Sequence, residues 1–205
     1  MILDLLKGTK KRERLPIFPL QTVLYPGSLL PLRIFEVRYM DMAKACLKDS
    51  SPFGVCLIKE GPEVGGTAVP ESLGCIATIA DCDMEELGIL KVRALGGERF
   101  RIVSSEVNRQ GLILAEVELL EAEADAPEAQ GLPECAEFLR KVIAGIGPER
   151  FAHPLAYDNA SWVSFRLAEI LPLRMDVKQK LLELTDPTLR LAVLHRFLRQ
   201  QKLVA

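Results

Sequence analysis

The chain contains 205 residues, of which 49% are hydrophobic and 26% are charged, and its formal net charge is −2. These values are typical of a globular protein of one or two domains, and they exclude a disordered or collagen-like chain. Basic and acidic residues are balanced in both halves, so nucleic acid is not the expected partner. The longest apolar runs are too short to cross a bilayer, so no membrane partner is expected either.

The N-terminal residues 1–14 lack the long apolar segment of a secretory signal and are predicted to form a flexible tail. We therefore expect a cytoplasmic protein. No CxxC spacing occurs among the five cysteines, which predicts reduced, mostly buried thiols and neither a disulfide framework nor a zinc site. These cysteines are Cys46, Cys56, Cys75, Cys82 and Cys135.

Residues 15–120 contain short, often alternating apolar runs, which predict about six β-strands in a small closed or nearly closed barrel. The segments 17–20 and 29–34 are the first two of these strands. Farther along the chain, Gly96 and Gly97 separate two alternating segments, and this pattern predicts a tight hairpin turn.

Prolines and a glycine interrupt the first strands. Pro26 and Gly27 suit the second and third positions of a β-turn, because proline presets a negative φ and glycine tolerates a positive one. Pro19 and Pro31 have no N–H group to donate to a β-ladder. We therefore expect both prolines at sheet edges or bulges.

One short helix is predicted at 36–48, where apolar residues recur at three- and four-residue spacing. We expect it to cover one end of the sheet. The residues predicted to form its apolar stripe are Val37, Met40, Ala43 and Leu47.

Residues 121–132 are rich in alanine, glutamate and proline and are predicted to form a linker. Residues 133–205 then show helical spacing throughout, which predicts a subdomain of four helices. Asp176 and Gln179 resemble a capping box at the start of the third of these helices. The predicted fold class is therefore α+β, a barrel followed by a four-helix subdomain.

Signals of catalysis are missing from the sequence. The dipeptide Gly-Lys of a phosphate-binding P-loop and the GxSxG motif of serine hydrolases do not occur. His153 and His195 are the two histidines, and no third group marks them as a catalytic pair. The acidic run 81–86 could bind a divalent cation, although a solvated turn is the simpler interpretation. We predict no catalytic residue, no metal site and no cofactor.

The segment 15–42, LPIFPLQTVLYPGSLLPLRIFEVRYMDM, resembles the opening of the N-terminal substrate-recognition domain of Lon, a family of ATP-dependent proteases. The resemblance continues in order through FGVCLI, LGCIATI, GERFRI and the helical segment from residue 161, and covers about residues 13–200. It implies a PUA-like barrel followed by a helical bundle. The matching residues, which we interpret as structural, are Pro19, Pro26, Gly27, Pro31, Phe35, Glu36, Arg38, Tyr39, Gly97, Arg99 and Phe100.

The resemblance implies a bacterial-type module that binds exposed or unfolded segments of client polypeptides, or an adaptor for a separate protease or chaperone. The ATPase and peptidase modules of Lon do not follow before Ala205, so we expect a stand-alone, non-catalytic form. Two alternatives are an RNA-binding barrel and a small-molecule carrier or small enzyme. The latter would use a barrel pocket with His153, Asp81 or Asp83.

Apolar residues in irregular segments are the predicted contacts to a protein partner. Val64 and Val69 belong to a glycine-rich loop. Phe151 and Tyr157 belong to the segment that follows Gly147.

Overall fold

The computed structural model describes residues 12–86, 88–124, 126, 129 and 131–204. The strands are β1 (Arg12–Leu20), β2 (Leu29–Ile34), β3 (Phe53–Glu60), β4 (Val69–Pro70), β5 (Leu73–Glu86), β6 (Ile89–Val107) and β7 (Ile113–Leu119). The helices are α1 (Val37–Asp49), α2 (Leu132–Ile146), α3 (Ala160–Ile170), α4 (Met175–Glu183) and α5 (Pro187–Gln200), with a 3₁₀ turn at Pro148–Arg150. The fold is thus mixed α+β, with the strands first. In the described part of the chain, no helix is long and apolar enough to span a membrane.

The seven strands of the described residues form one sheet with a circular pairing order. Antiparallel pairs lead from β1 through β7, β6 and β5 to β3. Strand β3 then pairs in parallel with β1, so the path returns to its first strand. Strand β2 pairs with β6, and the short β4 pairs with β3.

The predicted hairpin at Gly96 and Gly97 is wrong. Strand β6 runs without interruption through both glycines, and the turn between β5 and β6 contains Gly88 instead. Gly96 allows the backbone of β6 to lie close to the backbone of the turn at Tyr25–Ser28. Its N–H donates to the carbonyl oxygen of Ser28 at 2.9 Å, and a Cβ atom there would clash with the carbonyl oxygen of Tyr25. Glycine is required because a side chain would not fit.

The predicted turn after the first strand is present. Gly27 has a φ of +71°, and the N–H of Ser28 donates to the carbonyl oxygen of Tyr25 at 3.0 Å. Pro31 lies on β2, which has one paired neighbour, β6. Pro19 lies at the end of β1 where pairing with β7 has stopped and only β3 remains. Both prolines therefore occupy positions where a ladder donor is dispensable.

Helix α1 forms where it was predicted, but its buried face is different. Val37 is 75% exposed and Leu47 is also exposed, contrary to the predicted stripe. The Tyr39 ring stacks on Phe18 of β1 with a centroid distance of 4.1 Å, and burying this large aromatic ring sets the rotation of the helix. The residues buried by the helix are Tyr39, Met42, Ala43 and Cys46.

The four C-terminal helices pack on the strands through a shared core. Tyr25 and Leu73 of the strand half belong to the same cluster of buried residues as α2 to α5. Asn159 caps α3 and Asp186 caps α5 with their side-chain oxygens. The predicted capping box of α4 is wrong, because its N-cap is Arg174 and Gln179 instead donates to the carbonyl oxygen of Leu73 at 3.0 Å.

Two predicted boundaries need correction. Residues 12–14 of the predicted tail belong to β1, because Arg12 pairs with Glu118 of β7, whereas residues 1–11 lie outside the described residues. In the predicted linker, the side chain of Glu123 is only 6% exposed and Ala129 is buried. This segment contributes to the core because Glu123 has charged partners that are remote in the sequence. The division into domains at 15–120 and 133–205 stays a prediction.

Candidate functional site

Several large apolar side chains are exposed near the start of α1. Phe35 and Val37 are 52% and 75% exposed, and they flank Glu36, the N-cap residue of the helix. Val64, in the loop between β3 and β4, is 55% exposed. We refer to Phe35, Val37 and Val64, together with Arg38, which links α1 to the loop that carries Val64, as the Arg38 surface. Exposed apolar groups on a structured segment are typical of protein contact sites.

Arg38 connects the start of α1 to two loops. Its guanidinium donates to the carbonyl oxygen of Gly66 at 2.7 Å, to that of Gly111 at 3.0 Å, and to the Glu36 carboxylate at 2.8 Å. The same group lies 4.7 Å from the ring centroid of Tyr39. Burial raises the pKa of the Tyr39 hydroxyl above its ordinary value, and the nearby Arg38 opposes this shift. Tyr39 is therefore neutral at physiological pH.

A second contact holds the loop that carries Val64. The N–H of Gln21 donates to the Glu63 carboxylate at 3.2 Å. Together with the bond from Arg38 to Gly66, this contact holds the loop at two points. A loop ordered before binding loses less conformational entropy on contact with a partner.

The predicted contact residues have different environments. Val64 and Val69 are exposed, as a partner contact requires. Phe151 is only 6% exposed and packs in the core of the helical part, so the prediction that it contacts a partner is wrong. Tyr157 is half-buried, with its ring 5.3 Å from Trp162 and 4.6 Å from the Arg140 guanidinium. The structure therefore does not place all four residues on one surface.

A buried charge cluster that the sequence did not suggest joins the strands to the helices. The Arg99 guanidinium lies 2.7 Å from the Glu123 carboxylate, and Arg190 donates to the same carboxylate at 2.8 Å. Arg99 also donates to the carbonyl oxygens of Leu182 and Leu184 at the end of α4. Burial lowers the pKa of Arg99, and the Glu123 charge opposes this shift. In the sequence, Arg99 stood out only through the GERFRI segment that resembles the family, and nothing indicated that Glu123 would be buried.

Next to this cluster lies an open groove of about 500 Å³, which we call the Trp162 groove. Its walls come from the turn at Gly27 and the end of β7 on one side, and from the start of α3 on the other. Trp162 and Phe165 line it. The exposed carboxylates of Glu98 and Glu121 also lie along it.

The other sequence candidates are not brought together. Asp81 pairs with Arg93 at 3.1 Å, and the depression that Asp81 and Asp83 line includes neither histidine. Across the described residues, no group of three or more His, Cys, Asp or Glu side chains is placed to hold a metal ion. Four of the cysteines are buried as free thiols, as predicted, and Cys82 is exposed.

The last motif residue, Phe100, is fully buried and lies against two strands. A Cβ atom at Gly54 would lie 2.6 Å from its ring, and one at Gly74 would lie 2.8 Å from it. The absence of a side chain at both glycines therefore makes room for this buried ring.

Comparison with known proteins identifies the class of this fold. Residues 14–200 match the family described as the ATP-dependent protease La (LON) substrate-binding domain, and the chain belongs to that family. A crystal structure of a Lon N-terminal domain protein from Xanthomonas campestris is similar at a TM-score of 0.74 and 36% identity, over 89% of this chain and 96% of that one.

Curated relatives are longer proteins. Lon protease 1 of Syntrophobacter fumaroxidans is 28% identical over 196 residues, which are 91% of this chain and 24% of that protein. Protein cereblon of Danio rerio is 30% identical over 112 residues, which are 53% of this chain and 26% of that protein. The chain thus matches about a quarter of the length of either relative.

Proposed function

We propose that this protein is a non-catalytic recognition module that binds exposed or unfolded segments of client proteins through the Arg38 surface. It would act in the cytoplasm, either directly or as an adaptor for a separate protease or chaperone. Membership of the substrate-binding domain family supports a role in recognition. We also assign the circle of paired strands to a PUA-like barrel, which the pairing of β1 with both β7 and β3 supports.

The observation that carries this proposal is the exposure of Phe35, Val37 and Val64 beside a loop that Arg38 and Glu63 hold in place. Burying an apolar side chain contributes about 1.5–3 kcal/mol when its contact is complete. Two or three such contacts give the modest affinity that reversible capture of many different sequences requires. No charge match is needed, so the surface suits clients of varied sequence.

We expect the double variant Val37→Ser and Val64→Ser to bind an unfolded client at least tenfold more weakly than the unmodified protein, because two exposed apolar contacts are lost. The probe is fluorescently labelled, reduced and carboxymethylated lactalbumin, and the measurement is fluorescence anisotropy. The matched control is Val193→Ser, since Val193 is an exposed valine on α5, 45% exposed. Equal binding by the double variant and the control would rule out the Arg38 surface as the client site.

A further inference from the structure

The Trp162 groove has the dimensions and position of a ligand site. It lies where the strand half meets the helical half, and its volume of about 500 Å³ is within the range of about 300–1,000 Å³ found for binding pockets. Pro26 and Leu120 line one side, and Pro154 and Trp162 line the other. These four lining side chains are mostly apolar, so a ligand that covers them removes apolar surface from water, which favours binding.

Two aromatic side chains, Trp162 and Phe165, form what we call the floor of the groove, and neighbouring side chains hold both rings in place. The Trp162 ring meets Tyr157 edge-on at a centroid distance of 5.3 Å. The Phe165 ring lies 3.6 Å from the Arg190 guanidinium, which Glu123 binds in turn. Because these supports are already formed, a ligand would not have to order the floor on binding.

The charge of the groove selects the ligand. Among the described residues of its lining, Arg99 is the one basic residue, and it shares the Glu123 carboxylate with Arg190, so these three groups together carry one net positive charge. Glu98 and Glu121 are exposed, and within the described part of the chain neither carboxylate is ion-paired. The groove therefore presents apolar surface with an excess of negative charge, which attracts cations and repels phosphate groups.

We propose that the Trp162 groove binds an extended polypeptide segment in which an apolar side chain neighbours lysine or arginine. The apolar side chain packs on Trp162 and Leu120, and the basic group lies between Glu98 and Glu121. This inference rests on the proposed function as a protein binder, and it gives that function a preference for basic segments. Arginine fits best, since its guanidinium both pairs with carboxylates and stacks on aromatic rings.

Trp162 is the only tryptophan in the chain, so its fluorescence reports on the groove directly. The probe is a ten-residue peptide that carries alternating phenylalanine and arginine in a glycine–serine background. The comparison peptide has glutamine in place of each arginine. We expect a saturable change of Trp162 emission with the arginine peptide and about three- to tenfold weaker binding of the glutamine peptide. The difference should shrink as salt is raised.

The double variant Glu98→Gln and Glu121→Gln should bind both peptides equally, with the affinity for the arginine peptide reduced about three- to tenfold. The matched control removes two exposed carboxylates outside the groove, Glu60→Gln and Glu134→Gln. The control should retain the preference for arginine. Equal effects of the two double variants would show only a general charge attraction and would overturn the proposal.

The proposed function and the groove can fail separately. If unfolded lactalbumin binds and the Val37→Ser and Val64→Ser variant reduces that binding, the proposed function stands. An unchanged Trp162 emission with the arginine peptide would then refute the groove alone. If lactalbumin does not bind at all while the peptide changes Trp162 emission, the groove stands and the Arg38 surface fails.

Discussion

Replacing Glu123 with alanine is expected to lower the free energy of unfolding by about 3–5 kcal/mol, because it leaves buried guanidinium groups without a counter-charge. Arg99 and Arg190 both contact this carboxylate, and both are buried. The loss corresponds to a decrease in Tm of roughly 6–20 °C for a chain of this size. Urea unfolding followed by circular dichroism measures it.

Two further variants test the cause of this loss. Glu121→Ala removes an exposed carboxylate two residues away and should change stability by less than about 0.5 kcal/mol. Replacing all three charged residues together, with Arg99→Met, Glu123→Leu and Arg190→Met, should restore part of the loss, because no unpaired charge remains buried. A Glu123→Ala protein within about 1 kcal/mol of the unmodified one would contradict the assigned role.

The Glu123 cluster also supports the groove. Arg190 lies against the Phe165 ring, which lines the groove together with Trp162. Without the Glu123 carboxylate, Arg190 keeps its bonds to Ser164 and to the Leu184 carbonyl oxygen, but its contact with the Phe165 ring is held less firmly. We therefore expect Trp162 emission to shift in Glu123→Ala even before unfolding, and the shift should be absent in Glu134→Ala, which removes an exposed carboxylate outside the groove.

Gly96→Ala is expected to cost about 3 kcal/mol, at the upper end of the usual cost of overpacking. The new methyl group would clash with the carbonyl oxygen of Tyr25, which belongs to the turn packed on β6. The backbone must move, and the bond from Gly96 to the Ser28 carbonyl oxygen is weakened as a result. Thermal unfolding of the two proteins under the same conditions measures the difference.

The adjacent glycine is a matched control for this experiment. A Cβ atom at Gly97 would lie 3.6 Å from Ile76, an ordinary van der Waals contact. Gly97→Ala should therefore be neutral, or stabilising by up to about 1 kcal/mol, because alanine loses less backbone entropy than glycine on folding. Similar destabilisation by both substitutions would mean that β6 tolerates no side chain in this region, and the assigned contact with Tyr25 would be wrong.

In our proposals, the Arg38 surface and the Trp162 groove would contribute two different kinds of contact to recognition. The Arg38 surface offers exposed apolar groups on a loop that hydrogen bonds hold in place. The groove adds negative charge beside an aromatic floor. A client segment that satisfies both sites would gain affinity from the linkage of two weak contacts, since the second contact becomes intramolecular.

Features with local signals could be predicted from the sequence. The turn at Gly27 needs a positive φ, which the adjacent proline and glycine indicate without any distant partner. The family resemblance was confirmed over residues 14–200. Of the candidate contacts, Val64 and Val69 were placed on the surface because glycine-rich loops are usually exposed.

Features that depend on distant partners could not be predicted. Glu123 looked like part of a solvated linker, yet its partner Arg190 lies 67 residues away and draws it into the core. Gly96 looked like a hairpin turn, although it allows the turn at Tyr25 to approach β6. Phe151 was predicted to be available to a partner, but the helical core encloses it.

Local backbone preferences act within a few residues, so the amino-acid sequence indicates most of the strands and helices, although not the continuation of β6 through Gly96. Burial of a side chain depends on which other elements come to lie beside it, and this is settled when the strands and helices pack together. Two features depend on such packing. Tyr39 determines which face of α1 is buried, and Glu123 is buried because it pairs with distant arginines. The Trp162 groove also depends on this packing, since its walls come from segments more than a hundred residues apart, such as those of Gly27 and Trp162.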